Sequence, residues 1–220
     1  IKALNLEAAG VEHDGRYIRT DPTMQSSVPH IFAAGDINGR AMLVQSAAHE
    51  ARTAAENAIL RQQRPFGHQI LPHGGFTDPE YGSVGLTEAQ ARAQEPDCVV
   101  AVANFADLDR AVIDGRTEGM CKLIVSRRSE RLLGAHVVGE QALEIVEIAA
   151  ACIAGSIPIT EIAKLEIAYP TFTMIVGLTA RRIVREMGLT QLAPEWRALR
   201  QSVEATAEWE KSRYKPLDSK

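Results

Sequence analysis

The stretch Ser27-Val28-Pro29-His30-Ile31-Phe32-Ala33-Ala34-Gly35-Asp36 restricts what this chain can fold into more than any other. Ile31 to Ala34 reads as a short buried strand that ends in a small-residue turn bearing one carboxylate, Asp36. A helical run from Met42 to Leu60 follows almost at once, with Leu43, Ala47, Ala51, Ala54 and Ala58 near one Ala-rich face suited to close packing. Strand, glycine turn, acid and helix start together make a platform for a polyhydroxylated cofactor. Small residues let backbone approach a ligand. A carboxylate accepts hydrogen bonds from ribose- or ribitol-type hydroxyls. A helix N-terminus offers free N–H groups to an electron-rich atom.

Composition sets the outer limits. At 220 residues the chain has room for one or two domains, and 45% hydrophobic residues supply a core. A net charge of −4 and a pI of about 5.9 argue against an electrostatic nucleic-acid or membrane surface. No apolar run approaches the roughly 20 residues that span a bilayer. The three cysteines, Cys98, Cys121 and Cys152, are far apart, without spacing for a metal or a local disulfide, and fit a reducing cytoplasm.

The pattern changes along the chain. Asp14-Gly15, between Val11-Glu12 and Tyr17-Ile18, is a hairpin signal. Residues 62 to 75 read as a linker, with Pro65, Pro72 and Gly74-Gly75. Strand-like segments near 76–85, 98–105, 119–127 and 131–139 follow, and Thr87 is placed to cap a short helix. Two longer helices are expected at 140–155 and 170–187. The first has Leu143, Val146, Ala150 and Ile153 on one side and Glu140, Glu144 and Glu147 on the other. The second has Pro170 near its start, Phe172, Ile175, Val176, Ile183 and Met187 as its apolar face, Arg181, Arg182 and Arg185 in its last turns and Gly188 at C′. Strands followed by flanking helices predict an α+β fold. Past Gly188, Trp196, Leu199, Val203 and Ala207 lie at helical spacing, which fits a docked helix or a solvated terminal one.

Several of these segments share a resemblance. Thr20-Asp21 through Asp36 resembles the second FAD-binding motif of the pyridine nucleotide-disulfide oxidoreductases, flavoenzymes such as dihydrolipoamide dehydrogenase, glutathione reductase and mercuric reductase. Phe76-Thr77-Asp78-Pro79-Glu80-Tyr81-Gly82-Ser83-Val84-Gly85-Leu86-Thr87-Glu88 resembles the opening of their C-terminal interface domain, and Leu133-Gly134-Ala135-His136-Val137-Val138-Gly139 its central strand. Tyr169-Pro170-Thr171-Phe172-Thr173-Met174 falls where the family keeps its catalytic acid–base segment. The family's G-x-G-x-x-G fingerprint and C-x-x-x-x-C redox pair do not occur in these residues. Those absences, and a start at Ile1 rather than Met, lead to the expectation of the C-terminal part of a longer flavoenzyme. The resemblance implies a segment of the FAD/NAD-binding region over 1–67, a dimerisation domain of antiparallel sheet and flanking helices over 68–188, and a helical tail over 189–220.

The resemblance also assigns roles. It implies that Asp36 hydrogen-bonds a ribitol hydroxyl of FAD. The alternative is a turn aspartate capping the next segment, the commoner case without the surrounding motif. Met42, Leu43, Val44 and Gln45 sit where the family places a helix N-terminus against the flavin pyrimidine, a backbone contact that leaves Met42 and Leu43 side chains free to pack in a core. Tyr169 replaces the acid–base His of the disulfide reductases, and Met174 stands near the position of its orienting Glu. Mercuric reductases carry an aromatic residue and a similar Thr-Met stretch here, yet they end in a cysteine pair, which this chain lacks after Cys152. The alternative for Tyr169 is a packed interface aromatic. His49-Glu50 is a weak signal, His68 and His73 lack a carboxylate at ligand spacing, and His136 reads as structural, so no metal is assigned. The resulting expectation is part of a cytoplasmic, homodimeric FAD- and NAD(P)H-dependent oxidoreductase. The acceptor stays open among a disulfide, a quinone and a metal ion. A stand-alone dimerisation or binding module without flavin chemistry is the rival.

Overall fold

A computed structural model of the protein describes residues 1–61, 63–67 and 70–189. The N-terminal stretch is largely irregular. Short 3-10 turns at Lys2–Leu4, Leu6–Ala9 and Gly35–Asn38 surround a small core of Leu6, Val11, Ile18 and Ala33. The Asp14-Gly15 turn forms as expected: Asp14 Oδ1 accepts the Arg16 and Tyr17 amides at 2.9 and 2.7 Å, and His13 bridges Ile18. The strand expected at Ile31 to Ala34 is reduced to one bridge, Gln25 to Phe32, flanked by the bonds Ser26 N to Ile31 O and Ala33 N to Met24 O. The turn at Val28 to Ile31 follows so closely that no longer ladder can develop.

Helix α1, Val44–Leu60, is present, but it does not bury the Ala-rich face. Its buried residues are Ser46, Glu50, Thr53, Ala54 and Asn57, whereas Ala51 and Ala58 are exposed. The reason is what lies against it. Irregular chain brings backbone polar groups that need partners, and the helix supplies them. Asn57 Nδ2 donates to the Thr23 and Arg64 carbonyls at 2.9 and 2.8 Å, and its Oδ1 accepts the Arg64 amide at 3.0 Å.

Beyond residue 70 a five-stranded antiparallel sheet forms in the order β1 (His73–Gly75), β2 (Tyr81–Gly85), β5 (Leu132–Val138), β4 (Met120–Val125), β3 (Val99–Asn104). The expected linker thus ends in an edge strand. Alternation separates the faces. Val84, Ala135, Leu123 and Ala101 lie in one cross-strand row, all buried under α4 (Ala142–Ala154) and α6 (Met174–Glu186). On the other face, Tyr81, Val138 and Met120 form an exposed row. Helix α2, Glu88–Gln94, covers the opposite end of that face through Ala91, packed with Cys98 and Ile124. Thr87 caps it as expected, within a full capping box with Gln90.

Two short helices, α3 (Asp109–Asp114) and α5 (Ile159–Lys164), complete the domain. In α4 the buried stripe is Ala142, Ile145, Val146, Ala149, Ala150 and Cys152; of the four expected residues Val146 and Ala150 lie in it, whereas Leu143 and Ile153 are half-buried at its margin. Helix α6 begins at Met174 rather than near Pro170. Thr171 Oγ1 turns back to the Ala168 carbonyl at 2.8 Å, and Phe172 drops into the core. Its C-terminus is the expected one. Gly188, at φ 70°, donates to the Arg185 carbonyl, and Leu189 donates to Val184, the paired bonds of a Schellman motif. The helical tail expected over 189–220 lies outside the described residues from position 190 on.

Candidate functional site

Asp36 occupies the 3-10 turn Gly35–Asn38. Gly35 is buried at φ 80°, a conformation that a side chain would strain, and a Cβ there would press on Ala47 Cβ at 3.2 Å. The turn therefore lies hard against α1 and presents the next side chain outward. Asp36 is exposed, and its carboxylate has no hydrogen bond or ion pair among the described residues. It caps neither its own turn nor α1.

The α1 N-terminus lies directly after the loop that follows this turn. Leu43, extended at φ −131°, is its N-cap, and no side chain caps the helix. Its first-turn amides thus lack a side-chain acceptor. Val44 is 86% exposed and Met42 57%, so Met42 is not packed in a core, whereas Leu43 is half-buried. The Gln45 side chain is committed elsewhere, donating to the Pro72 carbonyl at 2.6 Å. The Leu43 amide is already donated to the Ala41 carbonyl at 2.9 Å, so the backbone amides this segment leaves for a ligand are those of Met42, Val44 and Gln45. A negatively charged or electron-rich group is what such a helix start favours.

One residue of this region carried almost no signal in the sequence. Glu50, fully buried, accepts the Gly35 amide at 2.7 Å and Asn38 Nδ2 at 2.8 Å, and ties the Asp36 turn to α1. The available clue was a polar stripe, Ser46-Glu50-Thr53-Asn57, at helical spacing along an otherwise Ala-rich helix. Burial pushes Asp21 up, but hydrogen bonds from the Thr23 hydroxyl and amide and the Gln25 amide outweigh it and hold its carboxyl below the usual range. Arg40 secures the same loop through the Thr20 and Asp21 carbonyls.

Tyr169 is not brought to this turn by any hydrogen bond among the described residues. It is 66% exposed on the loop between α5 and α6, joined to Pro170 by a cis peptide bond. The Asp109 carboxylate raises its pKa, by hydrogen bonding first and by charge second. Met174 is half-buried against the domain core. His136 is satisfied on both ring nitrogens, by Ser83 Oγ and the Leu86 carbonyl, each at 3.1 Å, in the structural role expected of it. His49 packs against Phe66 with ring centroids 5.1 Å apart. His73 Nδ1 meets the Leu71 carbonyl, and His68 lies outside the described residues. Cys98, Cys121 and Cys152 are buried and free, and burial pushes the Cys121 thiol up to about 12. Among the described residues no cluster of His, Cys, Asp and Glu could hold a metal ion, and no helix is long and apolar enough to cross a membrane.

Comparison with known proteins bears on both parts of the chain. The family profile for the pyridine nucleotide-disulphide oxidoreductase dimerisation domain matches residues 71–180, and that for pyridine nucleotide-disulphide oxidoreductase matches residues 1–51. A dihydrolipoyl dehydrogenase of Vibrio cholerae is 37% identical over 180 residues, 81% of this chain and 38% of that protein. Dihydrolipoyl dehydrogenase 3 of Haloarcula marismortui is 34% identical over 187 residues, 84% of this chain and 39% of its own length. The chain therefore spans about two fifths of the length of these curated relatives. Among solved structures, LpdA of Mycobacterium tuberculosis superposes with a TM-score of 0.72 at 26% identity, covering 81% of this chain and 39% of its own. The flavoprotein disulfide reductase RclA of Escherichia coli, at 22% identity, shares the fold with a TM-score of 0.74, covering 80% and 41%.

Proposed function

Since the chain belongs to the pyridine nucleotide-disulphide oxidoreductase family, we propose that it is the C-terminal part of a cytoplasmic, homodimeric, FAD-dependent NAD(P)H oxidoreductase. Residues 1–67 contribute one side of the flavin site, and residues 68–188 form the dimerisation domain. The observation that carries the reading is the pairing of an exposed, uncommitted Asp36 carboxylate with an uncapped helix start, both held on α1. The residues present fit a flavin: an acceptor for sugar-like hydroxyls beside amides that favour an electron-rich ring edge.

FAD, when bound, would supply the two-electron redox chemistry that links NAD(P)H to the acceptor. The chain's own residues bind and orient. Asp36 accepts hydrogen bonds from the ribityl hydroxyls. The backbone of Met42, Leu43, Val44 and Gln45 would hold the pyrimidine edge, through the amides other than that of Leu43, which is donated to the Ala41 carbonyl, and the helix dipole would favour negative charge there. Tyr169, protonated and exposed, stands at the active site of a second copy, where its phenol can donate a hydrogen bond but cannot take up a proton.

The test is Asp36→Ala in the full-length enzyme. Losing one charge-assisted hydrogen bond costs roughly 1.5–3 kcal/mol, about one to two decades in flavin affinity. Flavin content after dialysis is expected to fall accordingly. Unchanged content with an intact fold would remove Asp36 from the flavin site.

A further inference from the structure

Glu50 is fully buried, and no Lys, Arg or His among the described residues pairs with it. A carboxylate withdrawn from water is tolerated only where donors replace the lost solvent. Three do. Its Oε2 accepts the Gly35 amide at 2.7 Å and Asn38 Nδ2 at 2.8 Å, and its Oε1 accepts the Ser46 hydroxyl at 3.3 Å. Gly35 and Asn38 are the first and last residues of the turn that carries Asp36. Ser46 belongs to the first turn of α1. One buried side chain thus joins the Asp36 turn and the start of the helix, which have no regular secondary structure in common.

We propose that Glu50 is the positioning residue of the flavin site. It fixes the Gly35–Asn38 turn on α1, so that the Asp36 carboxylate and the first-turn amides of the helix address the same bound group. An apolar residue would fill the same space without holding the turn. The proposal rests on the reading of Asp36 as a flavin ligand. The hydrogen-bond pattern also says which replacement preserves it. A glutamine oxygen can accept from both Gly35 and Asn38, while its NH2 meets the Ser46 oxygen, which accepts as well as donates. Glu50→Gln keeps every contact, whereas Glu50→Ala removes all of them.

The experiment measures the FAD dissociation constant of flavin-stripped full-length enzyme for the wild type, D36A, E50Q, E50A and D36A/E50A. Hydrogen exchange of the Gly35 amide is followed in each. E50Q is expected to bind within about threefold of the wild type. E50A is expected to bind about tenfold more weakly, the scale of one hydrogen bond to a charged group. Its Gly35 amide should exchange faster. In the D36A background the E50A penalty should largely vanish, because Glu50 acts through Asp36. A normal D36A constant would defeat the reading of Asp36, and the proposal with it. A weakened D36A combined with a normal E50A, or with an undiminished E50A penalty in the double variant, would overturn the positioning role alone. Should E50A fail to fold, Asn38→Ala replaces it. Losing that single bond predicts about a fivefold weakening, coupled to Asp36 in the same way, and its absence overturns the proposal equally.

Discussion

In the proposed flavoenzyme, Tyr169 is the side chain that limits the acceptor chemistry. Its phenol, ordinarily ionising near ~10, is held higher still by the Asp109 carboxylate. It therefore keeps its proton throughout the neutral range and cannot serve as a general base. Exchange with a disulfide needs a base to take up and return the thiol proton, a service worth about 100- to 10,000-fold in rate. The full-length enzyme is accordingly expected to oxidise NAD(P)H slowly with lipoamide or glutathione disulfide, but readily with a quinone. Tyr169→His should raise only the disulfide rate. Disulfide turnover at the quinone rate in the unaltered enzyme would show that Tyr169 imposes no such limit. The sign of the electrostatics is separately checkable. Asp109→Asn removes the charge that disfavours phenolate, so Tyr169 should ionise at lower pH in an absorbance titration. The cysteines offer no substitute chemistry, since all three are buried and the Cys121 thiol is pushed to about 12.

At the scale of elements, termini are held by identifiable bonds. Thr87 Oγ1 accepts the Gln90 amide at 3.3 Å, and Gln90 Oε1 returns to the Thr87 amide at 2.9 Å. These bonds start a helix of 7 residues whose Ala91 is wholly buried. So short a helix has little intrinsic stability, so its cap counts. Thr87→Ala should cost about 1 kcal/mol, lowering the melting temperature by about 2–4 °C for a chain of this size. A melting temperature unchanged in thermal denaturation followed by circular dichroism would mean that burial of Ala91 alone sustains α2. Glu88, one residue on, binds Lys122 of β4 at 2.9 Å and Arg92 at 3.0 Å, and both hold its carboxyl below the usual range. Helix α6 is anchored from its C-terminal half. Arg182 reaches the Val102 carbonyl on edge strand β3 at 2.5 Å and Asp107 at 2.7 Å. The Val102 carbonyl, capped in this way, is not open to a foreign strand.

For the whole molecule the decisive feature is apolar surface left uncovered. Phe76 is 90% exposed, and Tyr81, Val138 and Met120 line the open sheet face, while Val112 and Ile113 project from α3. Of these, Tyr81, Val138 and Met120 are cross-strand neighbours, and adjacent exposed apolar side chains favour association, in keeping with the dimerisation profile over 71–180. The 220-residue chain should therefore sediment as a dimer at tens of micromolar, the range in which an interface of standard size is saturated. A strictly monomeric species at that concentration would count against pairing through this domain.

Strand positions β2 to β5, the Thr87 cap, the Gly188 terminus and the α+β class were all legible in local pattern, because alternation, capping chemistry and glycine turns act over a few residues. The Asp36 turn was legible for the same reason, as a short motif. Three things were decided only by tertiary structure. The buried face of α1 is polar rather than Ala-rich because irregular backbone lies against it and needs hydrogen-bond partners. Glu50 joins Gly35 and Asn38 across 15 and 12 residues of chain, a separation at which side-chain pairing leaves no local signature. The start of α6 moved from Pro170 to Met174 because Thr171 and Phe172 found better partners outside a helix, one in the Ala168 carbonyl and the other in the core.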